Sequence, residues 1–175
     1  VDDYIAIVNS FTGGVKSSGD LWDGTASSPG DEAWTNATPL AMGSTNRLHG
    51  AHTLKNADTN DWFAFTNLVA GERYRVAVTN LTTQNADPRF SLYAGGADAG
   101  AGTAWTNLSL AAAATGLFFT ASSANAVYAR VWTPTVSNAN ATYALAYRHS
   151  AAHALTVING NGTVARALEG QAYPV

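Results

Sequence analysis

The groups with which this 175-residue chain could do chemistry are twelve acids, twelve serines and four histidines. Nucleophilic catalysis needs a serine held beside a base, yet no G-x-S-x-G elbow is present. The H-E-x-x-H helix of a zinc protease is missing as well. His49-Gly50-Ala51-His52 pairs two histidines. On a strand these rings face opposite ways; in a turn they could converge on a metal, but no acid adjoins them in sequence. The stretch reads as a polar turn before Thr53-Leu54. Glycosidase chemistry asks for two carboxylates across a cleft. The three glutamates fall in a linker (Glu32), a turn (Glu72) and the terminal segment (Glu169), so none sits on a core strand. No catalytic residue is expected.

A hard cation is better served. Calcium wants several oxygens from carboxylates, amides and carbonyls, and Asp58-Thr59-Asn60-Asp61 offers them in one tight loop. The spacing is not that of an EF-hand. Asp58 and Asp61 are the candidate ligands of a structural calcium, with Asp2, Asp3, Asp20, Asp23 or Asp31 able to add another. The competing role is local: both acids cap turns and accept from backbone amides. A contact surface is the other candidate. Tyr93, Tyr128, Arg130 and Trp132 share one predicted sheet face. Flat faces carrying Trp and Tyr stack on sugar rings, so polysaccharide is the expected ligand class. Alternatively, Trp132 is covered by the N-terminal segment or the terminal hairpin.

These residues must be positioned by strands. Period-2 patterns recur at Trp62–Phe65, Tyr74–Val78, Arg89–Tyr93, Thr115–Ala121, Val127–Trp132 and Tyr143–Tyr147, separated by Asn, Gly, Asp and Pro. Helical periodicity is nearly absent, and the Ala111–Ala114 patch is too short to stand alone. The expected fold is all-β, a two-sheet antiparallel β-sandwich of jelly-roll type. Alternation turns Val76, Val78, Phe90, Leu92, Val127, Val131, Leu145 and Tyr147 inward. It turns Arg73, Arg75, Arg89, Arg130 and Arg148 outward with the aromatic candidates.

Composition excludes other classes. Charged residues are 12% of the chain, against about 25% in ordinary domains. With 10% aromatics as well, disorder is ruled out. A net charge of −3 argues against nucleic acid. No apolar run approaches the roughly 18 residues of a membrane span. Without cysteine, neither disulfides nor thiolate metal sites can form. The chain begins at Val1 with no Met or signal peptide, which reads as a processed form or an excised fragment.

Several elements together carry a resemblance. They are Asp31-Glu32-Ala33-Trp34, Asp58-Thr59-Asn60-Asp61-Trp62-Phe63-Ala64-Phe65, Ala70-Gly71-Glu72-Arg73-Tyr74, Asp87-Pro88-Arg89-Phe90-Ser91-Leu92-Tyr93 and Val127-Tyr128-Ala129-Arg130-Val131. Their order over residues 31–148 resembles the bacterial pre-peptidase C-terminal domain. The resemblance implies a secreted or cell-surface, non-catalytic β-sandwich appended to a larger protein. Some members of that family bind calcium, and some bind polymeric substrates.

The expected organisation is an N-terminal strand and turn-rich acidic segment (1–30), a sandwich (31–150) and a terminal hairpin (151–175). The hairpin's arms are Leu155–Ile158 and Thr163–Leu168, like the opening of a further extracellular β-repeat. Two function classes follow. The chain is a module that holds a larger extracellular protein to a polymer or cell surface. Alternatively, it is a structural or adhesive subunit that self-associates, its terminal strands, including Tyr4–Val8, pairing with neighbouring copies.

Overall fold

Strict alternation of apolar and polar residues builds the central strand of the five-stranded sheet. In Val127–Trp132, Val127, Ala129 and Val131 are buried while Tyr128, Arg130 and Trp132 are half-buried on the other face. A computed structural model of the chain describes residues 22, 30–55, 60–84, 88–109, 113, 116–134, 140–150, 152–154 and 166–168. The strands are β1 (Thr38–Ala41), β2 (Arg47–Lys55), β3 (Asn60–Thr66), β4 (Arg73–Gln84), β5 (Arg89–Tyr93), β6 (Thr106–Ser109), β7 (Leu117–Thr120), β8 (Val127–Trp132) and β9 (Asn140–His149). Two short strands follow, β10 (Ala152–Ala154) and β11 (Arg166–Leu168).

Strands β2 to β9 make two sheets, ordered β2-β9-β4-β7 and β3-β8-β5-β6. Strands next to each other in sequence mostly lie in opposite sheets, which is the winding of an eight-stranded jelly roll. The expected all-β two-sheet sandwich is therefore the observed fold. One pairing departs from a purely antiparallel pattern. β1 joins the free edge of β3 in parallel, Thr38 opposite Phe63 and Ala41 opposite Thr66. Parallel pairing is available because the chain crosses to the other sheet as β2 before returning as β3. Pro39 is tolerated on β1 because that strand lies at the sheet edge.

All eight residues expected to face inward are buried in one core, together with Leu40, Met42, Leu54, Phe63, Phe65, Tyr74, Phe119 and Tyr143. Two bulges adjust this pattern. β2 slips against β9 between His49 and His52, and β4 slips against β9 between Thr79 and Thr82. In the second, Asn80 takes a left-handed φ of 53°. Each bulge adds a residue and so exchanges the faces beyond it. In β4, Val76 and Val78 face the core before the bulge, and Leu81 packs against it afterwards. The region around His49, expected as a turn, is thus a strand carrying a bulge.

A second, smaller core lies on the outer side of the five-stranded sheet. Trp62, Tyr93 and Ala99 are buried there, with Trp34, Ala37 and Tyr128 packed against them. Ala99 belongs to a short helix, α1 (Gly96–Ala101), that the sequence pattern did not announce. Its glycines make room for Trp34, since a Cβ on Gly96 would lie 2.9 Å from the Trp34 ring. Gly102 ends the helix at φ 72°, the left-handed conformation that favours glycine at a helix C-terminus.

β10 and β11 pair antiparallel, Ala152 opposite Leu168 and Ala154 opposite Arg166. Of the expected terminal hairpin, Arg166–Leu168 is a strand; Leu155–Ile158 and Thr163 lie outside the described residues, as does Tyr4–Val8.

Candidate functional site

The contact-face residues fall in a lattice set by strand register. One row across the outer face of the five-stranded sheet reads Asn60, Trp132, Arg89, Ser109. The next reads Trp62, Arg130, Ser91, Asn107. A third holds Ala64, Tyr128 and Tyr93.

The first two rows interlock through planar groups. The Arg130 guanidinium lies over the Trp132 ring at 4.8 Å and over the Trp62 ring at 5.6 Å. Such cation–π contacts contribute about 0.5–2 kcal/mol, according to how far they are desolvated. Arg130 Nε donates to Asn60 Oδ1 at 2.7 Å, and its terminal NH2 donates to the same oxygen. Trp132 Nε1 donates to Ser91 Oγ at 3.2 Å, and Arg89 Nε donates to Asn107 Oδ1 at 3.1 Å. The result is a patch in which the Trp132 indole and two guanidinium groups, all half-buried, hold fixed orientations, with the buried Trp62 ring beneath Arg130.

The third row is roofed. Tyr93 is 3% exposed and packs on Trp62 with ring centroids 5.1 Å apart. Tyr128 meets Trp34 edge-on at 5.9 Å. The four expected contact residues therefore divide. Arg130 and Trp132 share the patch, Tyr128 stands at its border, and Tyr93 is corrected to a structural residue beneath Trp34 and α1. Alternation placed Tyr93 on the right face, but a covering layer supplied from elsewhere in the chain leaves no trace in alternation.

Two histidines and two acids assemble on the inward-facing side of β2 and β3. The β2 bulge turns His49 and His52 to the same side, with ring centroids 4.8 Å apart. His52 is fully buried; it stacks on Tyr143 at 5.2 Å and meets the Phe63 ring edge-on at 4.9 Å. Trp22 packs on His49 at 4.5 Å. Asp61 faces inward from β3 with no exposure, and the Tyr143 hydroxyl donates to its Oδ2. Asp31, 1% exposed, is drawn in because Trp62 N donates to its carbonyl at 2.7 Å. The Thr38 hydroxyl donates to Asp31 Oδ2 at 3.3 Å.

Asp31, His52 and Asp61 each offer a ligand atom, all within 4.8 Å of one another. Of the expected calcium pair, Asp61 thus belongs to a buried Asp–His–Asp group, whereas Asp58 lies outside the described residues. The spacing of Asp31, His52 and Asp61 along the chain gave no signal, because their meeting depends on sheet order and on the bulge. A groove of about 490 Å³ adjoins this group, lined by Gly50, His52, Thr53, Asn80, Tyr143 and Ala144 among others. It sits where the two bulges flank β9.

Among the described residues, no helix is long and apolar enough to cross a membrane. No family model matches the chain, and no curated protein does.

Proposed function

We propose that the chain is a non-catalytic, secreted β-sandwich module that holds a larger extracellular protein to a polysaccharide or similar surface polymer. The observation that carries this reading is the half-buried Arg130–Trp132 stack, seated on the buried Trp62 ring and braced by Asn60 and Ser91 on the outer sheet face. Sugar rings present C–H groups to aromatic planes and hydroxyls to fixed donors, and this patch supplies both kinds of partner. One side of the Trp132 ring carries the guanidinium, so the sugar stacks on the remaining indole surface or on the guanidinium plane. The motif resemblance to the pre-peptidase C-terminal family supports an appended, extracellular role.

The test is co-sedimentation of the full chain with insoluble polysaccharides. Trp132→Ala is expected to weaken retention by about tenfold or more, which corresponds to roughly 1.4 kcal/mol. Tyr93→Phe is expected to leave it unchanged. Wild-type protein that stays in the supernatant with every polymer removes the reading.

The separate β10–β11 ladder favours a second reading, that of a structural or adhesive subunit. It forms its own two-stranded sheet rather than extending either large one. An isolated pair of strands is marginal in water, so pairing with another copy would stabilise it. Light scattering across a concentration series, with the full chain remaining monomeric, would sink that reading.

A further inference from the structure

We propose that Asp31, His52 and Asp61 bind one divalent first-row transition ion of the zinc class, joining both sheets to the turn that precedes β1. The inference is independent of the polymer-binding face, which lies on the other side of the five-stranded sheet.

Calcium, the ion the Asp58–Asp61 loop suggested, does not suit the group the structure assembles around Asp61. It takes about six to eight oxygen ligands, and here one of the three donors is an imidazole nitrogen. Imidazole with carboxylates is the preference of zinc and its neighbours. All three side chains are at most 1% exposed, so the site admits an ion and not a substrate. With both carboxylates ionised, as metal binding requires, they carry two negative charges beside the imidazole. A divalent cation balances that charge where water cannot.

The spacing is compatible with closure. Ligand atoms around a tetrahedral ion with bonds of about 2.0 Å lie about 3.3 Å apart. Rotation of the carboxylates therefore brings a group already within 4.8 Å into coordination range. The supporting groups are those a metal site requires. Tyr143 orients Asp61, Thr38 orients Asp31, and the His52 ring is fixed between Tyr143 and Phe63. The fourth position falls to water or to His49, whose ring is 4.8 Å from that of His52.

The three ligands come from three places: the entry turn, β2 of the four-stranded sheet and β3 of the five-stranded sheet. One ion would cross-link both layers at the point where the chain enters the sandwich. Its role is structural.

The full chain is stripped with chelator and titrated with Zn2+, Co2+ and Ca2+, followed by calorimetry and thermal unfolding. One equivalent of zinc is expected to bind. At about a hundredfold excess over the dissociation constant it is expected to raise the unfolding midpoint by about 5–10 °C. Calcium at the same concentration is expected to leave the midpoint in place. His52→Gln is expected to abolish the zinc shift, and Glu32→Gln, at an exposed neighbouring acid, to retain it. Should His52→Gln fail to fold, the Co2+ spectrum of the wild-type protein decides. Intense visible bands of a low-coordinate nitrogen–oxygen site support the proposal, and the weak spectrum of hydrated cobalt overturns it. An unchanged midpoint with zinc overturns it too, as does stabilisation by calcium that survives His52→Gln.

Discussion

Individual side chains here are set by partners far away in sequence. Tyr143 stacks on His52 and donates to Asp61, so one phenol ties β9 to both β2 and β3. Removing that hydroxyl takes a donor from a buried carboxylate, a loss of about 1.5–3 kcal/mol for a hydrogen bond to a charged group. Tyr143→Phe keeps the ring packing and is expected to lower the unfolding free energy by that amount, read as a lower denaturant midpoint at an unchanged slope. An unchanged midpoint would mean that Asp61 does not depend on Tyr143. Gly96 makes the converse case, a residue defined by what it lacks. A Cβ there would press on Trp34 at 2.9 Å, and the ring, flanked by Gly100 and Tyr128, has little freedom to yield. Gly96→Ala is expected to cost about 1–3 kcal/mol through overpacking and to alter the near-UV circular dichroism of the tryptophans. A near-UV spectrum identical to wild type would show that Trp34 moves aside freely.

At the scale of elements, the bulge in β2 decides the most. It lets His49 and His52, three residues apart, face the same way, and it leaves Leu48 63% exposed on the other side. Deleting Ala51 would restore plain pairing and exchange the faces of residues 47–49. His49 would then leave the interior and Leu48 would enter it. The deletion is expected to destabilise the protein by several kcal/mol, read as loss of amide protection along β2 in hydrogen exchange, while β5 and β8 stay protected. Equal protection along β2 would show that the bulge is dispensable. This same element marks the limit of what local sequence pattern encodes. β5 and β8 were legible because alternation bounded by turn residues admits one assignment, and the outward placement of Arg130 and Trp132 came with them. β2 was hidden because Gly50-Ala51 interrupts its pattern and the bulge breaks its period. α1 was hidden because a glycine-rich six-residue helix has no intrinsic tendency to form and exists by packing under Trp34. The Asp31–His52–Asp61 group was out of reach for a related reason. Its members are brought together by strand order, which no local pattern encodes: Asp61 stood out with Asp58, Asp31 only as one of five acids able to add a ligand, and His52 only as the partner of His49.

At the scale of the molecule, the question is where the sandwich is complete. β9 finishes with backbone bonds that fasten both neighbouring loops: His149 N donates to the Gly43 carbonyl at 2.7 Å, and Ser150 N to the Arg73 carbonyl at 2.8 Å. The His149 ring adds a 3.0 Å contact to Glu72 and packs on Tyr74 at 5.1 Å. Immediately beyond Ser150 the β10–β11 ladder forms a sheet of its own. The eight jelly-roll strands thus close before residue 151, and the main core draws on no residue after Tyr147 among the described ones. A chain ending at Ser150 is therefore expected to keep its far-UV spectrum. Its unfolding midpoint should stay within about 2 °C, the shift of a change worth about 0.5 kcal/mol in a domain of this size. Polymer retention through the Arg130–Trp132 patch and zinc binding at His52 should both survive this truncation, because each is built wholly within residues 31–150. Self-association, if strand pairing drives it, should disappear. Measured together, these readouts separate the two functional readings. Loss of oligomers with retained polymer binding assigns assembly to the terminal ladder and recognition to the sandwich. A truncated chain that no longer folds would instead make the ladder part of the domain and remove the case for a detachable pairing tail.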